Sequence, residues 1–173
     1  FNSLSSNPLK CFNEFYYLEG GNLTTLDVLS IPSDKTVIND YQFAGLKVSD
    51  IEFHSGITSI GKYAFAYVSG MEYFSYNLKL DITEGMFAYS EIEEFTINSE
   101  INEIGKYAFR YASITTLNIN SHIEKVCELA FANLYEIKDF SMDMVDIFER
   151  DVFKETYFEE IVFNHGINEW LDI

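Results

Sequence analysis

One residue type recurs at a fixed spacing through most of the chain. Phe43, Phe65, Phe87, Phe109, Phe131 and Phe153 stand 22 residues apart, over five intervals without a slip. Their neighbours repeat with them, as Tyr63-Ala64-Phe65-Ala66-Tyr67, Met86-Phe87-Ala88-Tyr89, Tyr107-Ala108-Phe109-Arg110-Tyr111 and Ala130-Phe131-Ala132. Five residues before each Phe lies a large apolar residue: Ile38, Ile60, Ile82, Ile104, Val126 and Phe148, with Trp170 continuing the phase. Two columns in one invariant phase mean stacked units, in which each Phe lies on the Phe of the next turn.

The rest of the unit is periodic as well. Apolar residues follow each Phe at offsets of five, eight and ten: Val48, Ile51, Phe53; Ile92, Phe95, Ile97; Ile114, Leu117, Ile119; Phe158, Ile161, Phe163. Leu26, Leu29 and Ile31 fit the same frame, with Gly21 in the place of the Phe. Two units slip by one residue, to Met71, Phe74, Tyr76 and Ile137, Phe140, Met142, and the next Phe returns to frame. A further apolar position, fourteen after the Phe, holds Ile57, Ile101, Ile123, Val145 and Ile167. The last two residues of each triplet alternate with polar ones, which is strand periodicity. A strand this short is unstable in isolation. The unit is too short for a helix–turn–helix repeat and suits one strand plus a short return arc. Stacked units then give parallel strands and a continuous core, with Ala64, Ala66, Ala88, Ala108, Ala130 and Ala132 allowing close packing of the arc.

Residues 1–20 depart from the repeat. Their cluster of Phe12, Phe15, Tyr16, Tyr17 and Leu18 predicts an N-terminal cap or partial repeat, and residues 21–173 about seven turns. Phe1 in place of an initiator Met implies a processed or trimmed chain, and Trp170 at the head of a new unit either closes the stack or marks a repeat that runs on, the second being the expectation favoured.

Charge excludes several functions. Eleven Lys plus Arg face 28 Asp plus Glu among 173 residues, a formal net charge of -17. Such a surface is unsuited to nucleic acid or to an anionic membrane. An aromatic fraction of 17% excludes a disordered chain. No apolar run is long enough to insert in a bilayer as a helix. Two cysteines, Cys11 and Cys127, make no disulfide framework, and one sequon is present at Asn22-Leu23-Thr24.

The pattern Ile-x-x-Ile-Gly-x-Tyr-Ala-Phe, followed by Leu-x-x-Ile-x-Ile, resembles the BspA-type leucine-rich repeat family. Ile57-Thr58-Ser59-Ile60-Gly61-Lys62-Tyr63-Ala64-Phe65 and Ile101-Asn102-Glu103-Ile104-Gly105-Lys106-Tyr107-Ala108-Phe109 carry the resemblance, and Leu29-Ser30-Ile31-Pro32 resembles the family's strand ending in Ile-Pro. It covers residues 21 to 170. Where many members carry Cys three residues after the Phe, this chain has Leu46, Val68, Ser90, Ala112, Leu134 and Thr156. The resemblance implies a leucine-rich-repeat solenoid, a right-handed α/β-type superhelix. It would carry short parallel strands on the concave face and irregular or short helical arcs on the convex face. It also implies an extracellular or cell-surface protein that binds other macromolecules, with no catalytic site and no cofactor.

In such a solenoid the polar residues between strand apolars face the concave side. They form rows of Asp50, Glu52, His54; Tyr73, Ser75, Asn77; Glu94, Thr96, Asn98; Thr116, Asn118, Asn120; Asp139, Ser141, Asp143; and Glu160, Val162, Asn164. This face is acidic and rich in hydrogen-bonding groups, and predicts a protein or glycoprotein partner with a basic surface. The alternative is a structural spacer carrying another domain. A remote third reading takes Asp50/Glu52 or Asp139/Asp143 as a glycosidase dyad, or as a calcium site, though neither a cleft nor a calcium-loop motif marks them. His54, His122 and His165 fall at different offsets of separate units, too far apart for one metal site. Cys127 stands where Gly61 and Gly105 occur in sister units and is expected to be a small buried residue. Tyr67, Tyr89 and Tyr111 predict a stacked ladder along the arc, a contact surface for sugar or protein where it is exposed.

Overall fold

The computed structural model describes residues 27–164 in full and the backbone of 18–19, 22–23 and 167–170. Its strands are β1 (Leu18–Glu19), β2 (Asn22–Leu23), β3 (Val28–Ser30), β4 (Val37–Ile38), β5 (Asp50–Glu52), β6 (Ser59–Ile60), β7 (Ser69–Tyr76) and β8 (Glu91–Ile97). They continue as β9 (Glu103–Ile104), β10 (Thr116–Ile119), β11 (Ile123–Val126), β12 (Asp139–Met142), β13 (Val145–Phe148), β14 (Glu160–Phe163) and β15 (Ile167–Trp170). β1 and β2 pair antiparallel. The cap expected from Phe12 to Leu18 lies outside the described side chains.

From β3 onward the chain is a parallel-strand coil of about 6 turns. Each turn contributes to two ladders. The first runs β3–β5 and then β7–β8–β10–β12–β14; the second runs β4–β6 and β9–β11–β13–β15, with Ile82 bridging to Ile104. The second ladder was not anticipated as strand. Its residues are the apolar columns Ile38, Ile60, Ile104, Val126 and Phe148, all buried. The core fills the space between the ladders and the arc.

The arc holds the phenylalanines as a continuous stack. Successive rings from Phe43 to Phe153 lie 5.5 to 5.8 Å apart and within 17° of parallel. Phe74, Phe95 and Phe140 of the first ladder meet this stack edge-on or tilted. Each buried ring removes a large apolar surface from water, and aromatic pairing adds about 0.5–1.5 kcal/mol beyond that area.

Among the described residues no helix occurs, so of the irregular or short helical arcs expected, the irregular form is the one found. The cause is a repeated left-handed backbone. Two columns have positive φ: Tyr41, Tyr63, Gly85, Tyr107, Leu129, Asp151 two residues before each Phe, and Gly45, Tyr67, Tyr89, Tyr111, Asn133, Glu155 two after. Tyr41, Phe43 and Gly45 donate their N–H groups to Lys62, Ala64 and Ala66 of the next turn at 2.8 to 3.0 Å. Gln42 and Ala44 instead close back on Asn39 and Tyr41. The same alternation recurs in later turns. It sends backbone donors along the coil axis, where a helix would spend them within one turn. A non-glycine residue in this region costs about 1–2 kcal/mol, offset here by bonds that tie each turn to its neighbour. Gly85 is glycine for a second reason, since a Cβ there would lie 2.1 Å from the Tyr63 ring.

The two slips are resolved at bulges. In β7 the register shifts between Ser69 and Met71, with Gly70 at φ 94°. At the second, Glu136 takes φ 62°, and the N–H groups of Lys138 and Asp139 share the Thr115 carbonyl. At the first bulge the sheet also divides, since β5 pairs with β3 and not with β7.

Ion pairs follow the coil. Three residues before each Phe the charge alternates through Asp40, Lys62, Glu84, Lys106, Glu128 and Arg150. Lys62 meets Glu84 at 2.7 Å, Lys106 meets Glu128 at 2.8 Å and Arg150 meets Glu128 at 3.4 Å. Lys125 of β11 meets Glu103 of β9 at 2.7 Å. Partial burial opposes ionisation of Glu103, but hydrogen bonds from Lys125 and Cys127 outweigh it and hold the carboxyl below its ordinary value.

Phe87→Ala is expected to lower unfolding stability by about 3–5 kcal/mol, read by urea denaturation; a loss under about 1 kcal/mol would contradict the stacked core. Glu103 contributes stability above its unfolded pKa near 4.3, lost as pH falls through the lower folded value. The stability gap between wild type and Glu103→Gln is therefore expected to be full above about pH 5 and to close below the ordinary glutamate range. A gap independent of pH would refute this role.

Candidate functional site

The alternation of the first ladder decides which side chains face out. In β10 the order Thr116-Leu117-Asn118-Ile119 places Leu117 and Ile119 in the core and leaves the other two partly exposed. Register then aligns the units. Tyr73, Glu94, Thr116, Asp139 and Glu160 form one row; Ser75, Thr96, Asn118, Ser141 and Val162 form the next. Asn98, Asn120, Asp143 and Asn164 follow their strands and donate N–H groups to the preceding turn, extending a third row that begins at Asn77. Adjacent rungs are about 4.8 Å apart.

The middle and third rows are partly bound to themselves. Asn120 donates to Asn98 at 3.0 Å, Asn98 to the Ser75 hydroxyl at 3.1 Å, and Ser141 to Asn118 at 2.7 Å. Thr96 is buried, so it leaves the set of contact residues. The first row differs. Glu94, Asp139 and Glu160 have no Lys, Arg or His within ion-pair distance among the described residues.

Asp50 and Glu52 stand on β5, beyond the break in the sheet, and are exposed. Asp50 accepts the N–H of Ile51, and Glu52 accepts the Ser30 hydroxyl. The break opens a recess of about 490 Å³ lined by Asp50, Glu52, Phe53, Tyr73, Ser75 and Asn77. His54 points elsewhere. It is half-buried, with Nε2 2.9 Å from the Lys35 carbonyl and Nδ1 accepting the Gly56 N–H at 3.1 Å. Both ring nitrogens are thus committed to the backbone, and His54 drops out of the contact rows.

The other candidates sit apart. His122 pairs with Asp146 at 3.0 Å, and His165 lies outside the described residues, as does Cys11. Among the described residues no group of three His, Cys, Asp or Glu could hold a metal. Asp139 opens β12 and Asp143 follows its end, so their Cα atoms are about 13 Å apart at ~3.3 Å per residue, wider than the carboxyl spacing of either glycosidase mechanism. Cys127 is buried and donates to Glu103 at 3.3 Å; burial and that carboxylate push its thiol up to about 12. It is a packing residue with little thiolate at neutral pH. No helix among the described residues is long and apolar enough to cross a membrane.

The tyrosine column is stacked, with Tyr67, Tyr89 and Tyr135 exposed and Tyr111 half-buried. Tyr67, Tyr89 and Tyr111 lie face to face at 4.6 and 5.0 Å. Tyr135 joins them at 6.2 Å. It escaped the repeat arithmetic because it stands four residues after its Phe, where Asn133 occupies the expected position. Alternation of sign in the Asp40 to Arg150 column was likewise present in the sequence and marks the inter-turn ion pairs.

A family model described as BspA type leucine rich repeat region matches in 6 copies, over residues 13–138 and 76–171. Comparisons with curated proteins and with solved structures gave no match. The matched repeats span the Phe column, both ladders and the arc between them, and the chain belongs to the BspA-type leucine-rich repeat family.

Proposed function

We propose that the chain is a non-enzymatic binding module of a cell-surface or secreted protein. It takes a protein or glycoprotein with a basic surface on the outward face of the first ladder. The recess between β5 and β7 is the centre of the contact. Members of this repeat class commonly bind proteins, and the charge arrangement supports doing so here. Lys62, Lys106, Lys125 and Arg150 pair across turns. The row of Glu94, Asp139 and Glu160 has no such partner among the described residues, and this is the observation that carries the reading. Unpaired carboxylates at a regular pitch steer a cationic partner and make the association sensitive to salt.

Asp50, Glu52, Tyr73, Glu94, Asp139 and Glu160 make the direct contact, with Ser75, Asn98, Asn118 and Asn120 as a pre-ordered polar floor. The hydrogen-bonded floor is already fixed, which reduces the ordering entropy of association. The test is capture from a panel of extracellular glycoproteins, followed by kinetics on any partner found. The combined variant Asp50→Asn, Glu52→Gln, Glu94→Gln, Asp139→Asn is expected to slow association about tenfold or more and to flatten its salt dependence. Unchanged binding of that variant to every captured partner would rule out this face.

A further inference from the structure

Tyr73 is the sole ring in the first outward row, and it is 52% exposed. It stacks on no other ring among the described residues. In this it differs from Tyr67, Tyr89 and Tyr111, whose faces cover one another. The break in the sheet is the reason. A row side chain in an unbroken parallel ladder has a neighbour about 4.8 Å away on each side. Tyr73 has Glu94 in register on one side, while β5 on the other is not paired with β7. The ring therefore borders the recess with Asp50 and Glu52 across from it.

The surroundings of the ring are anionic and already ordered. Asp50 accepts the Ile51 N–H through Oδ1 at 2.8 Å, and Glu52 accepts the Ser30 hydroxyl through Oε2. The second oxygen of each carboxylate has no donor among the described residues, and a carboxylate can accept on both. Asp50, Glu52 and Glu94 have no Lys, Arg or His within ion-pair distance among the described residues. Phe53 supplies apolar surface in the same recess, held edge-on against Phe65 and Tyr76 at 5.6 and 5.9 Å.

These features select one side chain. An open tyrosine face attracts a cation, and carboxylates on both sides of it reinforce the attraction. An ammonium is a compact, strongly hydrated charge that gains little from a flat ring. A guanidinium is planar and weakly hydrated, so it can stack on the ring while its in-plane N–H groups point outward to carboxylates on either side. Its aliphatic stem can lie on apolar surface such as Phe53. The chain uses the same contact internally, where the Arg110 guanidinium lies 4.9 Å from the Tyr111 ring centre.

We propose that the recess beside Tyr73 is an arginine site: a partner's arginine side chain stacks its guanidinium on the Tyr73 ring and donates to Asp50, Glu52 and Glu94. This rests on the sheet-face reading above and names the side chain that anchors the partner there. Arginine and tyrosine are the residue types that most often dominate the energy of a protein interface.

The experiment is an NMR titration of the 173-residue chain with N-acetyl-arginine methylamide, read on the Tyr73 ring and the Ile51 and Tyr73 amides. The lysine analogue carries the same charge, and the citrulline analogue has nearly the same shape without charge. The arginine probe is expected to bind saturably in the millimolar range, and both analogues about fivefold or more weakly. Tyr73→Leu should weaken the arginine probe about tenfold, while Tyr73→Phe, which keeps the ring, should stay within about twofold. Asp50→Asn with Glu94→Gln should also weaken it about tenfold; the Asn keeps an acceptor for the Ile51 N–H, and unchanged urea unfolding verifies the fold. Absence of saturable shifts at Tyr73, equal affinity for the lysine analogue, or equal losses in Tyr73→Leu and Tyr73→Phe each overturns the proposal. A captured glycoprotein that still depends on the sheet-face carboxylates would then leave the broader reading standing. Arginine binding at Tyr73 with every captured partner indifferent to those carboxylates would overturn the broader reading and keep the site.

Discussion

Hydrogen bonding between successive turns is the constraint on which the structure depends. The strands hold two to eight residues and the arc contains no helix among the described residues, so apart from the short three-residue closures of the arc the backbone donors are satisfied by a neighbouring turn. Tyr63, Phe65 and Tyr67 reach forward to Glu84, Met86 and Ala88, as their equivalents do in the turns on either side. A single turn would leave these groups unmet and its apolar side open. Stability is therefore a property of neighbouring pairs of turns. The same constraint explains why so many tyrosines tolerate left-handed φ. The strain is spread over successive turns, and Tyr41, Tyr63, Tyr67, Tyr89, Tyr111 and Asn133 each donate an N–H to the next.

Constant pitch also sorts charge. Where opposite signs alternate in a column, as from Asp40 to Arg150, the coil brings them within reach and they neutralise one another. Each exposed pair contributes at most about 1 kcal/mol, so the larger effect is on where the net charge of -17 resides. With Lys62, Lys106, Lys125 and Arg150 engaged across turns, the carboxylates of the first ladder keep their charge for the outside. One acidic face results from that arrangement of cations.

Much of this was legible in the residues. The Phe column, the outward rows and both slips follow from counting, because a parallel stack converts sequence spacing directly into position. The left-handed backbone of the arc did not follow. Left-handed backbone is usually signalled by glycine, and here tyrosine, leucine, asparagine and aspartate occupy most of those positions. The second ladder was visible only as apolar columns. Strands of two residues, such as Ser59–Ile60, are too short to show an alternation. Burial of Thr96 and the commitment of His54 to Lys35 and Gly56 depend on side-chain packing that no spacing reports.

A perfectly regular coil would be a poor receptor, because each rung would offer a ligand the same contact as the next and nothing would fix its register. Specificity requires a break in the repeat. Of the two breaks in this chain, the first lies beside the candidate contact site. The bulge at Gly70 accompanies the division of the sheet and the recess beside Asp50 and Tyr73. The bulge at Glu136 brings Tyr135 onto the tyrosine ladder, where regular spacing would have placed Asn133. Each costs the fold a strained or unpaired residue while the Phe column keeps its phase. The coil thus supplies the pitch against which a ligand is measured, and its irregularities supply the points at which a ligand is held.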